Sequence, residues 1–394
     1  MSIQNKGTVF LLSTSVFLVT TGFSIIFPIL PKLLDRIGAG AFEFGILAAS
    51  FGVTFTIFSP IFGYIGDRRP KRLVIQIGLF GFLFSNFFYI LADNLILLII
   101  GRMVQGIFAS AVMPSAISLV TDIVPDNEKG KNIGYIMAGN ATGFIVGPSI
   151  GGILYDFSVY TPFYTSIGLS IFTLILTFKL IPNIQPITNH NGEDNQKLPF
   201  SWQAIPSPLI VFAGFVVVDI IYSVSWLFIE PGFIYYFYDD LHYTPFEFGI
   251  FVGAYGLAIT VVQLLFGSLS DKFGRRPIIM LGTIFYTIFI VMLYYNTSLF
   301  SLIIAATFAG IGGGFSLPAM KALLADAVDD HQKTTVFGIE TGLLSTGMIF
   351  GPLLGGYYYD SLGMLAIIQI SIIMCFVSML IIGFLKFQKP IRGE

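Results

Sequence analysis

The sequence predicts an all-α membrane protein, twelve transmembrane helices arranged as two parallel six-helix repeats. Three observations lead there: the composition, apolar stretches that recur along nearly the whole chain, and an internal repeat at a fixed offset. Of 394 residues, 55% are hydrophobic and 11% are charged, whereas an average soluble domain carries about 25% charge. A water-soluble fold cannot hide that much apolar surface. Each stretch is long enough to cross a hydrocarbon core of about 30 Å as a helix.

Breaks at charged or Pro/Gly-rich clusters place the spans near 8–30, 43–65, 72–92, 95–121, 131–154, 160–181, 208–237, 245–268, 276–295, 297–325, 335–358 and 363–385. The apolar stretch after Met1–Gly7 runs to Leu30 without a clear small-residue cleavage site, so it reads as a retained first helix and not a signal peptide. An even number of spans puts both termini on one side. Lys6, Arg68, Arg69, Lys71, Arg72, Lys129, Lys131, Lys272, Arg275, Arg276, Lys333 and Lys386 all fall in or beside loops of one parity, and the other parity holds only Lys32 and Arg36. The positive-inside rule makes the rich side cytoplasmic, with both termini inside the cell membrane.

The one long polar stretch, Pro182 to Pro208, divides the chain into six-helix bundles at 1–181 and 208–394, with 182–207 as a cytoplasmic linker. It is too short for a catalytic domain. No phosphate-binding G-x-x-x-x-G-K-[ST] loop occurs, so ATP hydrolysis by this chain is not expected, and neither is enzyme activity. The net charge of −2 is no footprint for nucleic acid. Cys375, the single cysteine, excludes an intrachain disulfide, and His190, His242 and His331 lie in predicted loops and form no metal constellation. No cofactor is expected.

Phe42-Glu43-Phe44-Gly45-Ile46 returns as Phe246-Glu247-Phe248-Gly249-Ile250, an offset of 204 residues. The same offset pairs Gly63 with Gly267, Asp67 with Asp271, Arg72 with Arg276, Pro114 with Pro318 and Asp122 with Asp326. It then pairs Gly143, Gly147, Pro148, Gly151 and Gly152 with Gly347, Gly351, Pro352, Gly355 and Gly356. Shared membrane composition does not keep a gapless offset over such a length; duplication does. Six spans per unit is even, so the second unit enters with the orientation of the first. That is the arrangement expected when two bundles rock about a central site.

The turn after span 2 reads Gly63-Tyr-Ile-Gly-Asp67-Arg68-Arg69-Pro70-Lys71-Arg72, and its partner after span 8 reads Gly267-Ser-Leu-Ser-Asp271-Lys272-Phe-Gly274-Arg275-Arg276. These turns resemble the G-x-L-x-D-[RK]-x-G-[RK]-[RK] signature of the major facilitator superfamily; the second fits closely, and the first has Pro70 in place of glycine. Glycine allows two helices to approach, and the carboxylate can cap a helix start. The resemblance implies that these turns latch one half against the other, with Asp67 and Asp271 as gate residues. Topogenic charge alone is the alternative reading.

Span 5 carries Gly143-Phe-Ile-Val-Gly147-Pro148-Ser-Ile-Gly151-Gly152, which is similar to the antiporter motif of the twelve-helix drug:proton exporters in that superfamily. Small residues four apart also give a flat face for helix contact. Gly101-Arg102-Met-Val-Gln105-Gly106 in span 4 is similar to the R-x-x-Q-G motif of the same families. An arginine inside a span is costly unless it faces water or an acceptor, so Arg102 and Gln105 are functional candidates. An arginine held by helix carbonyls is the structural alternative.

Span 7 contains two acids, Asp219 and Glu230, 11 residues apart; at about 100° per residue they return to within about 20° of one face. Tyr222 and Trp226 fall along the same stripe, which is expected to line a central cavity, with Asn140 in span 5 as a hydrogen-bonder there. Glu230 precedes Pro231-Gly232, where a kink is expected. Its distance to Tyr-Thr-Pro at 243–245 is similar to that of the coupling glutamate in quinolone-exporting members of the family. Those members also have an acid in span 10, four residues before a proline; Gly314 stands there in this chain, leaving Asp219 for a second role. Glu340 in span 11 reads as a helix-start acid.

The resemblance implies proton-coupled export of small amphipathic compounds by alternating access, by a monomer with protons as the coupling ion. An importer or uniporter of a sugar or organic acid, and a lipid translocator, are the alternatives within transport. A membrane enzyme or sensor needs intramembrane catalytic residues or a soluble output domain, and the sequence shows neither.

Overall fold

The computed structural model describes residues 3–125, 128–181, 209–266, 269–326 and 333–384. The predicted linker at 182–207 lies outside them. The described residues are helical throughout apart from short connections: α1 (Ile3–Ile25), a 3-10 turn (Phe27–Ile29), α2 (Leu30–Arg36), α3 (Ala41–Arg68), α4 (Lys71–Leu91), α5 (Leu95–Ile123), α6 (Lys129–Tyr155) and α7 (Thr161–Leu180). The second half follows with α8 (Leu209–Tyr235), a π turn (Tyr236–Asp240), α9 (Pro245–Phe266), α10 (Leu269–Phe273), α11 (Arg275–Tyr295), α12 (Leu299–Asp326) and α13 (Lys333–Phe384).

Helix starts follow local chemistry. Glu43 accepts from the Gly40 N–H at 2.7 Å ahead of α3, and its repeat partner Glu247 accepts from the Thr244 N–H at 2.7 Å ahead of α9. The repeated glutamate is therefore a helix cap. Asn94 accepts from the Leu97 N–H at 3.0 Å to start α5.

α7 is apolar outside and polar inside. On α7, Ser166, Ser170, Thr173 and Thr177 are buried while Phe172, Ile175 and Phe178 are exposed. Each of these hydroxyls bonds a backbone carbonyl, and Ser166 Oγ donates to Gly22 O on α1 at 2.9 Å. In a bilayer the lipid solvates the aromatic face, and small polar residues let helices meet. Eleven helices are long and apolar enough to cross a membrane among the described residues. The twelfth predicted span is hidden in α13, which turns at Gly363, whose φ of 76° and ψ of 177° are non-helical. The chain changes direction there on one glycine, without the loop expected between 358 and 363.

Contacts group Met1–Ile187 with Ile234–Gly256 as one unit and Thr188–Phe233 with Leu257–Glu394 as the other. In the first unit α1 packs on α6 and α7, and α5 packs on α3 and α4; in the second, α11 packs on α12 and α13. Ile234 and Tyr235 at the end of α8, the π turn and the start of α9 thus pack with the first-half helices. α8 runs unbroken through Pro231 and widens only at the π turn.

Candidate functional site

At the basic ends of the helices, Lys71 at the start of α4 pairs with Asp122 at the end of α5. Arg275 at the start of α11 pairs with Asp326 at the end of α12 at 2.9 Å, and also with Asp271. Both pairs obey the 204-residue offset, so each half has its own tie between the same two helices. The offset that pairs Asp122 with Asp326 also pairs Lys71 with Arg275. Arg72 NH1 donates to Ile181 O at 3.0 Å, and the Arg68 guanidinium lies 3.6 Å from the Tyr64 ring.

The two turns differ in backbone: Gly274 has φ 90° and Pro70 has φ −53°. Only the second turn needs glycine. A Cβ on Gly63 meets nothing within 4 Å among the described residues, so the close approach expected there is not made. Gly267 and the Asp67 side chain lie outside the described residues. A thermal-unfolding double-mutant cycle of Lys71→Met and Asp122→Asn is expected to give a coupling of about 0.5 kcal/mol, the size typical of part-exposed pairs.

α6 is a flat helix used on two sides. Toward α1, a Cβ on Gly147 would stand 1.9 Å from Ser24 Oγ and one on Gly151 would stand 2.1 Å from Ile25 O. Gly143 faces Phe17 O and Thr20 in the same way. Toward α9, a Cβ on Gly152 would stand 2.4 Å from Phe246 Cα, and one on Gly249 would stand 2.6 Å from Ser149 Cα. Ser149 Oγ, beside Pro148, donates to Gly249 O at 2.9 Å across this seam. In the second unit, Gly347 and Gly355 lie as tightly against Ser223 and Phe228 of α8. Asn140 accepts from Thr20 Oγ1 at 2.9 Å, so this side chain bonds α1.

A second group of contacts lies near the far end of the first unit. Lys32 is 3.2 Å from Asp35 and 3.7 Å from Asp239, and its ammonium sits 4.8 Å from the centre of the Tyr238 ring. Tyr238 Oη donates to Pro28 O at 2.8 Å. The signal for this cluster was in the sequence: Lys32 is one of only two basic residues on its loop parity.

Arg102 is 4% exposed, and Gln105 and Tyr89 are fully buried. Arg102 NH1 and Tyr89 Oη both donate to Gln105 Oε1, each at 2.9 Å. Tyr89 was not singled out by the sequence, since nothing in a lone tyrosine on α4 marks it as a partner of α5. In the second unit Trp226 is half-buried, with its ring 5.4 Å from that of Tyr286. Glu230 is half-buried near the end of α8. The side chains of Asp219, Tyr222 and Glu340 lie outside the described residues.

Lipid-facing helices enclosing buried charge and hydroxyls, with glycine seams between them and ion-paired turns at their ends, are the parts of a membrane transporter. The chain belongs to the Major Facilitator Superfamily, whose sequence model matches residues 12–230 and again 211–393. It is 27% identical over 356 residues to the quinolone resistance protein NorA of Staphylococcus aureus, covering 89% of this chain and 90% of NorA. It is also 27% identical over 355 residues to multidrug resistance protein 1 of Bacillus subtilis, covering 90% of each chain. Among solved structures, the fold is similar to the nucleoside transporter NupG, with a TM-score of 0.76, 13% identity, and coverage of 97% of this chain and 100% of that one. It is similar also to the human organic anion transporter MFSD10, with a TM-score of 0.69 and 15% identity over 97% of this chain and all of that one.

Proposed function

We propose that the chain is a proton-coupled exporter of small amphipathic compounds that works by alternating access in the cell membrane, with both termini cytoplasmic. The observation that carries this reading is its similarity, over about nine-tenths of both sequences, to two bacterial resistance proteins. The α6 seam supports it, because the small residues of the antiporter-type motif are the ones held against α1 and α9. In this scheme bundles 1–181 and 208–394 rock about a cavity to which Asp219, Tyr222, Trp226, Glu230, Arg102, Gln105 and Asn140 contribute. The turns at Asp67 and Asp271 gate the cytoplasmic side. Glu230 takes a proton from outside and releases it inside while solute moves outward. One proton crossing is worth about 2.3 kcal/mol per 100 mV, enough to concentrate solute roughly fiftyfold.

The test is dye transport in proteoliposomes with an imposed pH gradient. Wild type is expected to move dye against its gradient when protons flow the other way. Glu230→Gln is expected to abolish that uphill movement and to keep downhill exchange. Transport that ignores the pH gradient, or survives Glu230→Gln unchanged, or runs inward, overturns the reading.

A further inference from the structure

We propose that Arg102 and Gln105 form a binding subsite for the anionic oxygen of a lipophilic aromatic compound, a carboxylate being the simplest case. The inference rests on the transport reading above and names a chemical class for part of its cavity.

The first observation is an excess of donors. Gln105 Oε1 already receives Arg102 NH1 and Tyr89 Oη. Arg102 Nε and Gln105 Nε2 are buried and have no hydrogen-bond partner among the described residues. Two unused N–H donors beside a fixed positive charge ask for a negatively charged acceptor.

The second observation is that the first half has no such acceptor to offer at that depth. Among its described residues the acids are Asp35, Glu43, Asp67, Asp93, Asp122, Glu128 and Asp156, and every one lies at a helix end or in a connection. Glu43 is spent on the Gly40 N–H and Asp122 on Lys71. Arg102 stands two turns inside α5, and none of these acids is placed there to pair with it. A buried charge that no described first-half acid balances is a costly arrangement that binding an anion relieves.

The third observation sets the rest of the ligand. The Arg102 guanidinium lies 5.9 Å from the Phe51 ring, which stacks on Phe55 at 5.7 Å and meets Phe23 at 5.3 Å. A charged head would be bonded by Arg102 and Gln105 while an aromatic body packs on these rings.

The experiment measures binding alone, by the thermal-unfolding midpoint of the full chain in lipid nanodiscs in chloride-free buffer. The probes are 2-naphthoate, its uncharged amide 2-naphthamide, and sodium chloride. Naphthoate is expected to stabilise the wild type at concentrations about tenfold below those needed for the amide, as a charge-assisted bond predicts. Arg102→Gln is expected to remove the preference. Gln105→Glu, nearly isosteric, supplies a built-in carboxylate and is expected to remove the preference too, with the ligand-free midpoint kept. No naphthoate preference in wild type, a preference that survives Gln105→Glu, or equal stabilisation by chloride overturns the proposal. Because no gradient is applied, a naphthoate preference without proton-driven transport would sink only the exporter reading, and the reverse result only the subsite.

Discussion

Gly152→Val is expected to abolish transport, whereas Gly134→Val on the same helix is expected to leave it near wild type. A Cβ at 152 would stand 2.4 Å from Phe246 Cα and 2.5 Å from Pro245 O, while at 134 it meets nothing within 4 Å. Overpacking costs about 1–3 kcal/mol where side chains can move aside. Here the obstructing atoms are backbone and cannot rotate away, so α6 and α9 must part. A transporter that has to re-form this contact in every cycle would stall. Initial rates of dye transport, with unfolding midpoints of both variants, check the prediction. Wild-type rates for Gly152→Val would mean that the seam is not needed for turnover.

The second large effect concerns the Lys32 cluster. Cysteines placed at 32 and 239, in a chain whose only native cysteine has been removed by Cys375→Ser, are expected to be joined by a short bis-methanethiosulfonate reagent. Transport should then stop and should return when a reductant cleaves the bridge. The salt bridge between Lys32 and Asp239, at 3.7 Å, and the Tyr238 bond to Pro28 tie the end of α8 to the first-half helices. Alternating access requires such a tie to open, and a covalent bridge forbids it. Each single-cysteine variant treated alike should keep working. Full activity in the bridged protein would show that these segments never separate.

Most of the fold was legible because membrane helices are written in long, simple signals. Apolar length placed α3 through α7 within a few residues of their observed ends, and the offset of 204 gave the duplication. The break between the last two spans was legible at Asp360-Ser361, and what hydropathy could not show is that a single residue with positive φ, Gly363, makes the turn. The candidate site was legible where chemistry is rare in its surroundings: Arg102 stands out as a charge inside a span. Its partner Tyr89 did not, since tyrosine is common here, with 18 in the chain, and only three-dimensional packing brings α4 beside α5. The Glu43 repeat carried a different lesson. Repetition marked it as special, yet its carboxylate is occupied by a helix start, which any half built on this plan would need. Gly63 makes no tight contact among the described residues, because spacing alone does not say which side of a helix meets a neighbour.

The seam between α6 and α9 also bears on rate. Its closest approaches are Gly152 against the backbone of Pro245 and Phe246 and Gly249 against that of Pro148 and Ser149, with a hydroxyl bond from Ser149 to Gly249. Interlocked leucines would have to leave and re-enter their rotamers each time such a surface parted, with an entropy change at every side chain. Close backbone approaches at Gly152 and Gly249 leave few such side chains to disengage. In the proposed cycle such a joint would part with few side chains to re-seat, at the cost of the Ser149 bond and of admitting water or lipid between the helices.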